Sequence, residues 1–490
     1  MASQDKIGNA PLMIELTQAD IKNRLSTVNT KHDRFATHDL RDFCKTSCKR
    51  MLGVFGLRRT GKSVMLWTVA QELMQAGSRV VFWEFLEGVS TDNAIQLLNH
   101  LKLSPGDYLF IDEATFADNF PIWGLYLYNR FASVGVRVIV SGTYSYALRI
   151  ASADALFDRI KLLPTTIISY AEYNYLTSDS LTKFMRAGGI LDPVDGVWAD
   201  YLDTAVVSNV VKSMTRLNST KYLPLANIKE STARSILFYI MQEIYLQRIL
   251  DDISSEYEYP ELTQSLDNLR KWGKTFSDVE VHQTKLGIDQ TLRWDESEVD
   301  NKKTMVLLFR DMLLEMGLLD GMDVITLTEH GVLRSREYFI SQPGLMYYLA
   351  LVSKESALSN ITNSTSLAFN IENVVEGRIL ENIVFRDTRL KNSDSRVVKV
   401  RGDNFEIDMV VVSPNGVLDL YEVKKSSNAD NRYAKHLLNS QLKEMLTGIF
   451  GVCDIRSKAV LYTGTDKEKE NGVAFVNIEK FLTGIELYYG

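Results

Sequence analysis

An eight-residue stretch near the start of the chain has the residue types of a phosphate-binding loop. Residues 56–63 read Gly-Leu-Arg-Arg-Thr-Gly-Lys-Ser, which fits the pattern G-x-x-x-x-G-K-[ST] at every position. In this pattern, backbone N–H groups of a glycine-bearing turn point at the phosphates, the lysine adds a positive charge at the β- and γ-phosphate oxygens, and the hydroxyl ligates Mg²⁺. Lys62 and Ser63 occupy those two positions. The stretch therefore predicts a site for ATP and Mg²⁺.

A pair of acids follows the next-but-one predicted strand. The apolar run Tyr108–Ile111 is expected to be a buried strand, and Asp112 and Glu113 come directly after it. In parallel sheets, sites lie at the carboxyl ends of the strands. Asp112 is therefore predicted to hold the metal with Ser63, and Glu113 to polarise the attacking water. The predicted nucleotide contacts are Gly56, Arg58, Arg59, Thr60, Gly61, Lys62, Ser63, Val64 and Asp112.

Two further residues are candidates for ATP turnover. Ser141 ends the predicted strand Arg137–Ser141 and is positioned to contact the γ-phosphate or the water; its alternative interpretation is a simple cap or turn. Arg159 is the candidate arginine finger to a neighbouring subunit, with Arg130 and Arg137 as rivals. Each arginine has an alternative role in a surface ion pair. A loop that binds ATP but hydrolyses it slowly is the alternative for the whole site.

A second group of carboxylates lies near the C-terminus. Residues 406–412 and 417–423 read as two strands, and the Pro-Asn-Gly sequence between them is a strong hairpin signal. Side chains alternate along a strand, so Glu422 and Lys424 share one face, and the hairpin brings Asp408 beside them. Two carboxylates and a lysine are costly to place on an apolar sheet. They are predicted to form a Mg²⁺ site, with Asp408 and Glu422 as ligands and Lys424 positioning water for phosphodiester cleavage.

The spacing D-x₁₃-E-x-K resembles the PD-(D/E)xK nuclease signature, although Ile407 stands where that family carries proline. The resemblance implies that a glutamate on the preceding helix completes the site. Glu381 matches by position, and Glu376 is the alternative. A surface hairpin with an ordinary Glu–Lys pair, or a nuclease fold that no longer cleaves, remains the competing interpretation.

The rest of the ATP-site region also resembles a known family. The segments GLRRTGKS, YLFIDEA and VIVSGTYS, then Ile168–Tyr173 and Phe184–Ile190, are similar to those of a group of prokaryotic AAA-type ATPases. Leu191 replaces the proline expected there, and the segment from Arg336 to Leu345 matches a later element of the group. Members usually carry a C-terminal domain similar to restriction endonucleases. The resemblance covers roughly residues 45–490 and implies architecture more than biological role.

The pattern of short apolar strands and helices predicts a multidomain α/β protein. Alternating strands and helices over the first part of the chain indicate βαβ units and a parallel sheet. Residues after Pro164 are mostly helical in pattern, and two helices followed by the strand-like segments 324–327 and 337–340 suit a winged helix. The predicted units are an N-terminal extension (1–44), an AAA-type P-loop ATPase domain (45–176), a helical lid (177–295), a winged helix (296–352), a linker (353–366) and a restriction-endonuclease-like α/β domain (367–490).

Composition limits the class of protein. With 490 residues the chain is too long for one ordinary core, and 45% apolar with 24% charged residues is typical of a globular protein. The polar first residues lack the apolar segment of a secretory signal, and no apolar run approaches the ~20 residues that span a bilayer. Cys44, Cys48 and Cys453 are interpreted as reduced thiols, with a structural zinc site as the less favoured alternative. A cytoplasmic protein without a membrane partner is expected.

The predicted partners are DNA and further copies of the chain. The net charge of −7 argues against a strongly basic coat but allows a local basic groove. Basic residues flank the C-terminal acids, as a DNA backbone requires, and a solvated charged face is the alternative. They are Arg386, Arg389, Lys391, Arg396, Lys399, Arg401, Lys425, Arg432 and Lys435. The leading hypothesis is a DNA-directed ATPase coupled to a Mg²⁺-dependent nuclease, possible settings being defence and mobile-element handling. The competing hypothesis is a nucleotide-controlled switch or scaffold that does not cleave, and an ATPase acting on a protein client is a third.

Overall fold

The computed structural model describes most of the chain outside one long central stretch. The described residues are 6–7, 10–28, 31–46, 49–191, 197–215, 309–358, 365–402, 405–451 and 453–484.

The first half of the molecule alternates strands and helices, as the sequence predicts. Its elements are β1 (Lys6–Ile7), β2 (Ala10–Pro11), β3 (Met13–Glu15), α1 (Gln18–Leu25), α2 (Ala36–Lys45), β4 (Met51–Phe55), α3 (Lys62–Gln75), β5 (Val80–Phe85), α4 (Thr91–His100), β6 (Tyr108–Asp112), α5 (Phe120–Arg130), β7 (Arg137–Ser141), α6 (Tyr146–Ala153), β8 (Ile160–Pro164), α7 (Tyr170–Thr177), α8 (Leu181–Ala187), α9 (Val197–Tyr201), a π-helical turn (Leu202–Val207) and α10 (Ser208–Thr215).

Six of these strands form one sheet in the order β3-β5-β6-β7-β4-β8. Only β3 runs antiparallel to its neighbour; the other pairs are parallel. Residues of β4 are buried along its whole length, because separate apolar clusters cover the two faces of the sheet. Since β7 lies between β4 and β6, the end of β7 stands between the phosphate loop and the acidic pair.

The N-terminal extension predicted for residues 1–44 is, in its described part, built into this sheet. Strand β3 pairs with β5, and buried residues of α1 and α2, such as Ile21 and Leu40, join the cluster on one face. Thr17 caps α1 by accepting from the N–H of Asp20, whose side chain accepts in return from the Thr17 N–H, which is a capping box. No structural boundary therefore falls at residue 45.

The second half is built on a larger, mixed sheet. After a helical segment at 309–315, its elements are β9 (Leu319–Thr328), β10 (Gly331–Ile340), α11 (Pro343–Leu358), α12 (Thr365–Lys391), β11 (Arg396–Gly402), β12 (Phe405–Val412), β13 (Val417–Lys424), α13 (Leu442–Phe450), β14 (Asp454–Tyr462), β15 (Lys467–Glu470), β16 (Val473–Asn477) and α14 (Ile478–Thr483).

The eight strands lie in the order β10-β9-β11-β12-β13-β14-β16-β15. Strands β9 and β10 form a ten-residue antiparallel hairpin, and β9 pairs in parallel with β11. The strand pair that the sequence analysis assigned to a winged helix therefore forms the edge of the C-terminal sheet. Both predicted strand segments do lie in strands, but the choice of neighbour depends on a long-range pairing that the local sequence does not encode.

The predicted linker and the predicted helical lid compare differently with the structure. Residues 353–358 of the predicted linker belong to α11, and α12 begins at Thr365, so helix occupies most of that stretch, while 359–364 lie outside the described residues. The predicted helical lid is helical where it is described, in α8, α9 and α10, and its residues 216–295 lie outside the described part.

One apolar cluster joins the two halves. It contains Leu57 and Tyr173 from the first half together with Leu345, Ile379 and Leu461 from the second. The buried ion pair of Arg386 and Asp387 on α12 lies at the same junction and is described below. Among the described residues, no helix is both long and apolar enough to cross a membrane.

Candidate functional site

The phosphate loop connects the end of β4 to the first turn of α3. Arg59 and Gly61 both have left-handed backbone conformations, with φ of +60° and +86°, and α3 begins directly afterwards at Lys62. A Cβ atom at Gly56 would overlap the Thr165 side chain, so only glycine fits at the start of the loop. Ser63 and Val64 lie in the first turn of α3. The free N–H groups of that turn make this helix end suited to phosphate.

Three successive carbonyl groups of the loop are held by other parts of the chain. The Thr60 carbonyl accepts from Arg34 Nη1, the Arg59 carbonyl from the Leu191 N–H at 2.9 Å, and the Arg58 carbonyl from the Tyr201 hydroxyl at 3.4 Å. These contacts fix the loop in one conformation from three separate segments of sequence.

Arg34 is a buried residue of this site that the sequence analysis missed. Its Nε donates to Glu172 Oε1 at 2.6 Å, and its guanidinium also reaches the carbonyls of Thr165 at 3.3 Å and Ile167 at 3.2 Å. The side chain of Glu172 is fully buried. The Arg34–Glu172 pair thus connects the N-terminal segment, the phosphate loop and the start of α7.

Lys62 lies buried against the loop that it belongs to. Its Nζ donates to the carbonyls of Gly56 at 2.9 Å and Leu57 at 2.8 Å. Burial lowers the pKa of Lys62 to about 8, and the negative charges of Glu113 and Asp112 oppose that shift. Because β4, β7 and β6 are parallel neighbours, the loop after β4 and the acids after β6 lie at the same edge of the sheet, and their role in one nucleotide site stays a prediction.

Asp112 is held by the neighbouring strand. The Ser141 hydroxyl donates to Asp112 Oδ1, which also accepts from the Glu113 N–H at 3.0 Å. Ser141 is fully buried. Its hydroxyl is thus directed at the predicted metal-binding carboxylate, and its proposed contact with phosphate or water remains a prediction.

Glu113 is oriented by a residue that the sequence analysis did not select. Its carboxylate accepts from the Thr143 N–H at 2.7 Å and from the Thr143 hydroxyl at 2.8 Å. Burial and the charge of Asp112 raise the pKa of Glu113, against the effects of Lys62 and Thr143. A Cβ atom at Gly142 would overlap Thr115, so the turn that carries Thr143 packs closely against the segment after β6. The sequence Ser-Gly-Thr at the end of β7 was the available signal that a hydroxyl side chain could lie beside Glu113.

The candidate arginine finger lies away from these contacts. Arg159 Nη1 donates to the Ala155 carbonyl at 3.0 Å, and its guanidinium lies 5.7 Å from the centre of the Tyr128 ring. The rival Arg130 donates to the carbonyls of residues 98 and 99, and Arg137 donates to that of residue 135. The role of Arg159 towards a second subunit stays a prediction.

The predicted acids of the C-terminal hairpin do come together. Met409 pairs with Tyr421 across β12 and β13, so Asp408 and Glu422 follow as neighbours on adjacent strands. Lys424 Nζ lies 3.1 Å from Asp408 Oδ2 and 3.0 Å from Glu422 Oε2. The Val423 N–H also donates to Asp408 Oδ2, at 2.8 Å.

The two carboxyl groups are both buried, yet their pKa values move apart. Burial would raise the pKa of Asp408, but the positive charges of Lys424 and Lys399 outweigh it and lower that pKa. Burial and the charge of Asp408 raise the pKa of Glu422. Glu422 Oε1 is buried and has no hydrogen-bond partner among the residues that the structure describes. A buried carboxylate oxygen without a donor is what a cation-binding position presents in a structure without ions.

Glu381 reaches this cluster from α12 and Glu376 does not. Glu381 Oε2 lies 2.7 Å from an Arg378 nitrogen and 3.6 Å from Lys399 Nζ. Glu376 instead accepts from Arg186 and pairs with Lys425. Geometry thus favours Glu381 over Glu376 as the helix acid of the site, while its function stays a prediction.

Several basic residues predicted to face DNA are engaged inside the protein. Arg386 is buried and donates to Asp387 at 2.8 Å, and Lys399 is buried among acids. Arg389 pairs with Asp320 and Arg401 with Glu337 and Glu406. Fewer basic side chains are therefore available to contact DNA than predicted, because these four pair with carboxylates of the same chain. The exposed members are Lys391, Arg396, Lys425, Arg432 and Lys435, of which Lys425 and Arg432 are ion-paired.

Within the described ranges, no three His, Cys, Asp or Glu side chains approach closely enough to hold a metal ion together. The residues at both sites supply one or two carboxylates each. That number fits Mg²⁺, which usually keeps several waters and takes only one or two carboxylates together with substrate phosphates.

The parallel sheet and the loop at the end of β4 define a P-loop nucleotide-binding domain. Residues 48–174, about a quarter of the chain, match the family described as an AAA domain, so this segment is an AAA-type P-loop domain. No curated protein matches the chain.

Solved structures similar to this chain include a mutant of RuvB from Thermotoga maritima (12% identity, 62% of this chain, 90% of that chain, TM-score 0.24). Others are the Aeropyrum pernix Orc1 protein in complex with DNA (11%, 66%, 91%, 0.23) and AMPPCP-bound DnaA from Aquifex aeolicus (16%, 58%, 89%, 0.23). At such TM-scores the superpositions define no common architecture for the whole chain.

Proposed function

We propose that this protein is an ATP-hydrolysing, DNA-directed AAA-type machine coupled to a Mg²⁺-dependent nuclease-like site. The observation that carries the ATPase half is that the glycine-bearing loop with Lys62 and the acidic pair Asp112 and Glu113 follow strands β4 and β6, which lie on either side of β7 in one parallel sheet. The observation that carries the second half is the cluster of Asp408, Glu422 and Lys424 at the hairpin.

At the ATP site, each residue has a separate task. The loop N–H groups and Lys62 bind the phosphates of ATP, and Ser63 and Asp112 would hold Mg²⁺, which neutralises developing negative charge when bound. Ser141 fixes the Asp112 carboxylate through its hydrogen bond. Glu113 accepts two hydrogen bonds from Thr143, which leaves carboxylate lone pairs to orient the attacking water.

At the C-terminal site, Asp408 and Glu422 would hold Mg²⁺, which supplies Lewis-acid activation of a phosphodiester when bound. Lys424 contacts both carboxylates and is placed to orient a water or the scissile phosphate. The positive charges of Lys424 and Lys399 keep Asp408 ionised. Glu422 Oε1, which has no hydrogen-bond partner within the described part of the chain, leaves one buried acceptor for the ion.

Two single variants separate the halves of the proposal. We expect Lys62→Ala to lose ATP binding and turnover, because the phosphates lose their cation. We expect Lys424→Ala to keep ATP turnover and lose cleavage of plasmid or linear DNA in Mg²⁺ or Mn²⁺. DNA that stays intact with wild-type protein in every nucleotide state would refute the nuclease half.

Glu113→Gln tests the assignment of the water-orienting residue. The variant is expected to bind ATP and to turn it over at least about 100-fold more slowly, the lower range for a positioned general base. Binding is measured with a fluorescent ATP analogue and turnover by phosphate release. Undiminished turnover would show that another group orients the water.

We further propose that the protein works as a homo-oligomer, since AAA-type sites commonly take an arginine from the next subunit. Arg159 is partly exposed and is the proposed finger. Light scattering with a non-hydrolysable ATP analogue is expected to show an assembly. A monomer under those conditions would remove the support for a finger in trans.

One observation favours a second candidate, a nucleotide-controlled switch whose C-terminal domain does not cleave. Lys424 and Lys399 already balance the charges of Asp408 and its neighbours, and many basic residues around the site are internally paired. On this candidate, the Lys424→Ala variant changes stability or assembly but no cleavage is seen with either protein.

A further inference from the structure

The C-terminal cluster contains a second lysine that the proposed chemistry does not use. Lys399, on β11, is 1% exposed, and its Nζ lies 2.5 Å from Glu406 Oε1, 3.6 Å from Glu381 Oε2 and 3.7 Å from Asp408 Oδ1. Three carboxylates from β12 and α12 thus surround one buried ammonium group.

A local irregularity of the sheet places this lysine. Val398 pairs with Val410, but Val400 pairs with Ile407, so Lys399 stands opposite two residues of β12, Asp408 and Met409. A bulge of this kind re-aims side chains. Here the bulge directs the ammonium group of Lys399 towards Asp408. On either side of the bulge the two strands pair regularly.

Asp408 therefore has a cation on each side. Its Oδ2 faces Lys424 and the Val423 N–H, while its Oδ1 faces Lys399. The acids that a second metal ion would need, Glu381 and Asp408, are those between which the Lys399 ammonium lies. Two-metal nuclease sites keep their ions about 3.5–4 Å apart, with a carboxylate shared between them.

We infer that Lys399 takes the place of a second metal ion, an inference that rests on the proposed metal-dependent function. The site would then bind one divalent cation, held by Asp408 and Glu422. No ion pair joins Lys399 to Glu422, whose Oε1 is buried and lacks a hydrogen-bond partner among the residues that the structure describes. A second divalent ion next to a buried ammonium is disfavoured by charge repulsion, since both would lie within a few ångströms in a medium of low dielectric constant.

The test counts Mn²⁺ ions bound by the full chain without nucleotide, with free Mn²⁺ measured by electron paramagnetic resonance. Asp408→Asn supplies the background, including any ion at the phosphate loop. Wild-type protein is expected to bind one ion more than this variant. Lys399→Met, which removes the charge and keeps the length, is expected to bind two more, and the control Lys399→Arg only one more.

Thermal unfolding gives a second readout. Lys399→Met leaves three carboxylates, of which Asp408 is buried and Glu381 and Glu406 are partly exposed, around an uncharged side chain. Its Tm is therefore expected to be below that of wild type without metal and to rise more than the wild-type Tm with Mn²⁺. If this variant does not fold, Lys399→Gln replaces it in the ion count, and two extra ions in wild type would still overturn the inference.

The outcomes separate the inference from the function on which it rests. Two extra ions in wild type, or only one in folded Lys399→Met, would overturn the role of Lys399 while leaving a metal site in place. Equal counts for wild type and Asp408→Asn would remove the metal site itself, and the inference with it.

Discussion

Replacing Arg34 by methionine removes the positive member of a buried ion pair next to the phosphate loop. Arg34 and Glu172 have side chains 5% and 0% exposed, so the carboxylate would lose its partner without gaining water. Removing one member of such a pair costs about 3–5 kcal/mol in free energy of unfolding, chiefly through the charge left behind. We expect a loss of that size for Arg34→Met.

The loop gives the same variant a second, separable effect. The Thr60 carbonyl loses its guanidinium donor, so the phosphate loop is less well fixed and ATP affinity is expected to fall. In Arg34→Met/Glu172→Met the stranded charge is gone, and most of the stability is expected to return. ATP affinity is expected to stay reduced, because the Thr60 carbonyl still lacks its donor.

Urea unfolding and the binding of a fluorescent ATP analogue measure the two effects. The control is Arg50→Met, whose arginine pairs with Asp158 at the surface, with side chains 52% and 69% exposed. Exposed pairs contribute about 0–1 kcal/mol, so this variant should resemble wild type. An Arg34→Met protein within about 1 kcal/mol of wild type and with unchanged ATP affinity would refute the reasoning.

Two further predictions concern other hydrogen-bonded carboxylates. Thr143→Val keeps the hydrogen bond from the residue 143 N–H to Glu113 and removes the one from the hydroxyl. We expect kcat for ATP hydrolysis to fall about tenfold with KM little changed, since a hydrogen bond to a charged group contributes about 1.5–3 kcal/mol. Thr143→Ser should retain activity, and an equal or higher kcat for the valine variant would contradict this role. Burial would raise the pKa of Glu376, but Lys425 and Arg186 lower it below its usual value. The ionised carboxylate therefore stabilises the fold above the unfolded-state pKa of about 4.3, and this stabilisation is lost as pH falls through the folded-state pKa. The difference in unfolding free energy between wild type and Glu376→Gln should be constant from about pH 7 to about pH 5 and shrink below that; a difference that grows with acidity would contradict the assignment.

The parts of the fold that follow from short-range patterns could be predicted from the sequence. Strand Arg137–Ser141 has the predicted bounds, because it is an apolar run ended by turn residues. The meeting of Asp408, Glu422 and Lys424 follows from one hairpin and the alternation of side chains along a strand.

The parts that depend on distant pairings could not be predicted. Arg34 and Glu172 are 138 residues apart, and no local pattern marks an arginine that will be buried. Lys399 was predicted to face DNA or solvent. A one-residue register shift, which the sequence does not reveal, instead turns it towards Asp408. The strands of the supposed winged helix were found, but the parallel pairing of β9 with β11 is a choice of partner made between segments far apart in the chain.

Near its C-terminal end, helix α12 carries a pair of charged residues, Arg386 and Asp387, that contact both halves of the molecule. Arg386 donates to the carbonyls of Ile168 and Ser341, and Asp387 accepts from the Tyr170 N–H at 2.7 Å, which fills the free donor at the start of α7. The nucleotide-binding portion is therefore not an independent cassette. A fragment ending near residue 191 would uncover Tyr173 and Phe184 and strand that donor, so biochemical dissection of this protein calls for point variants of the intact chain.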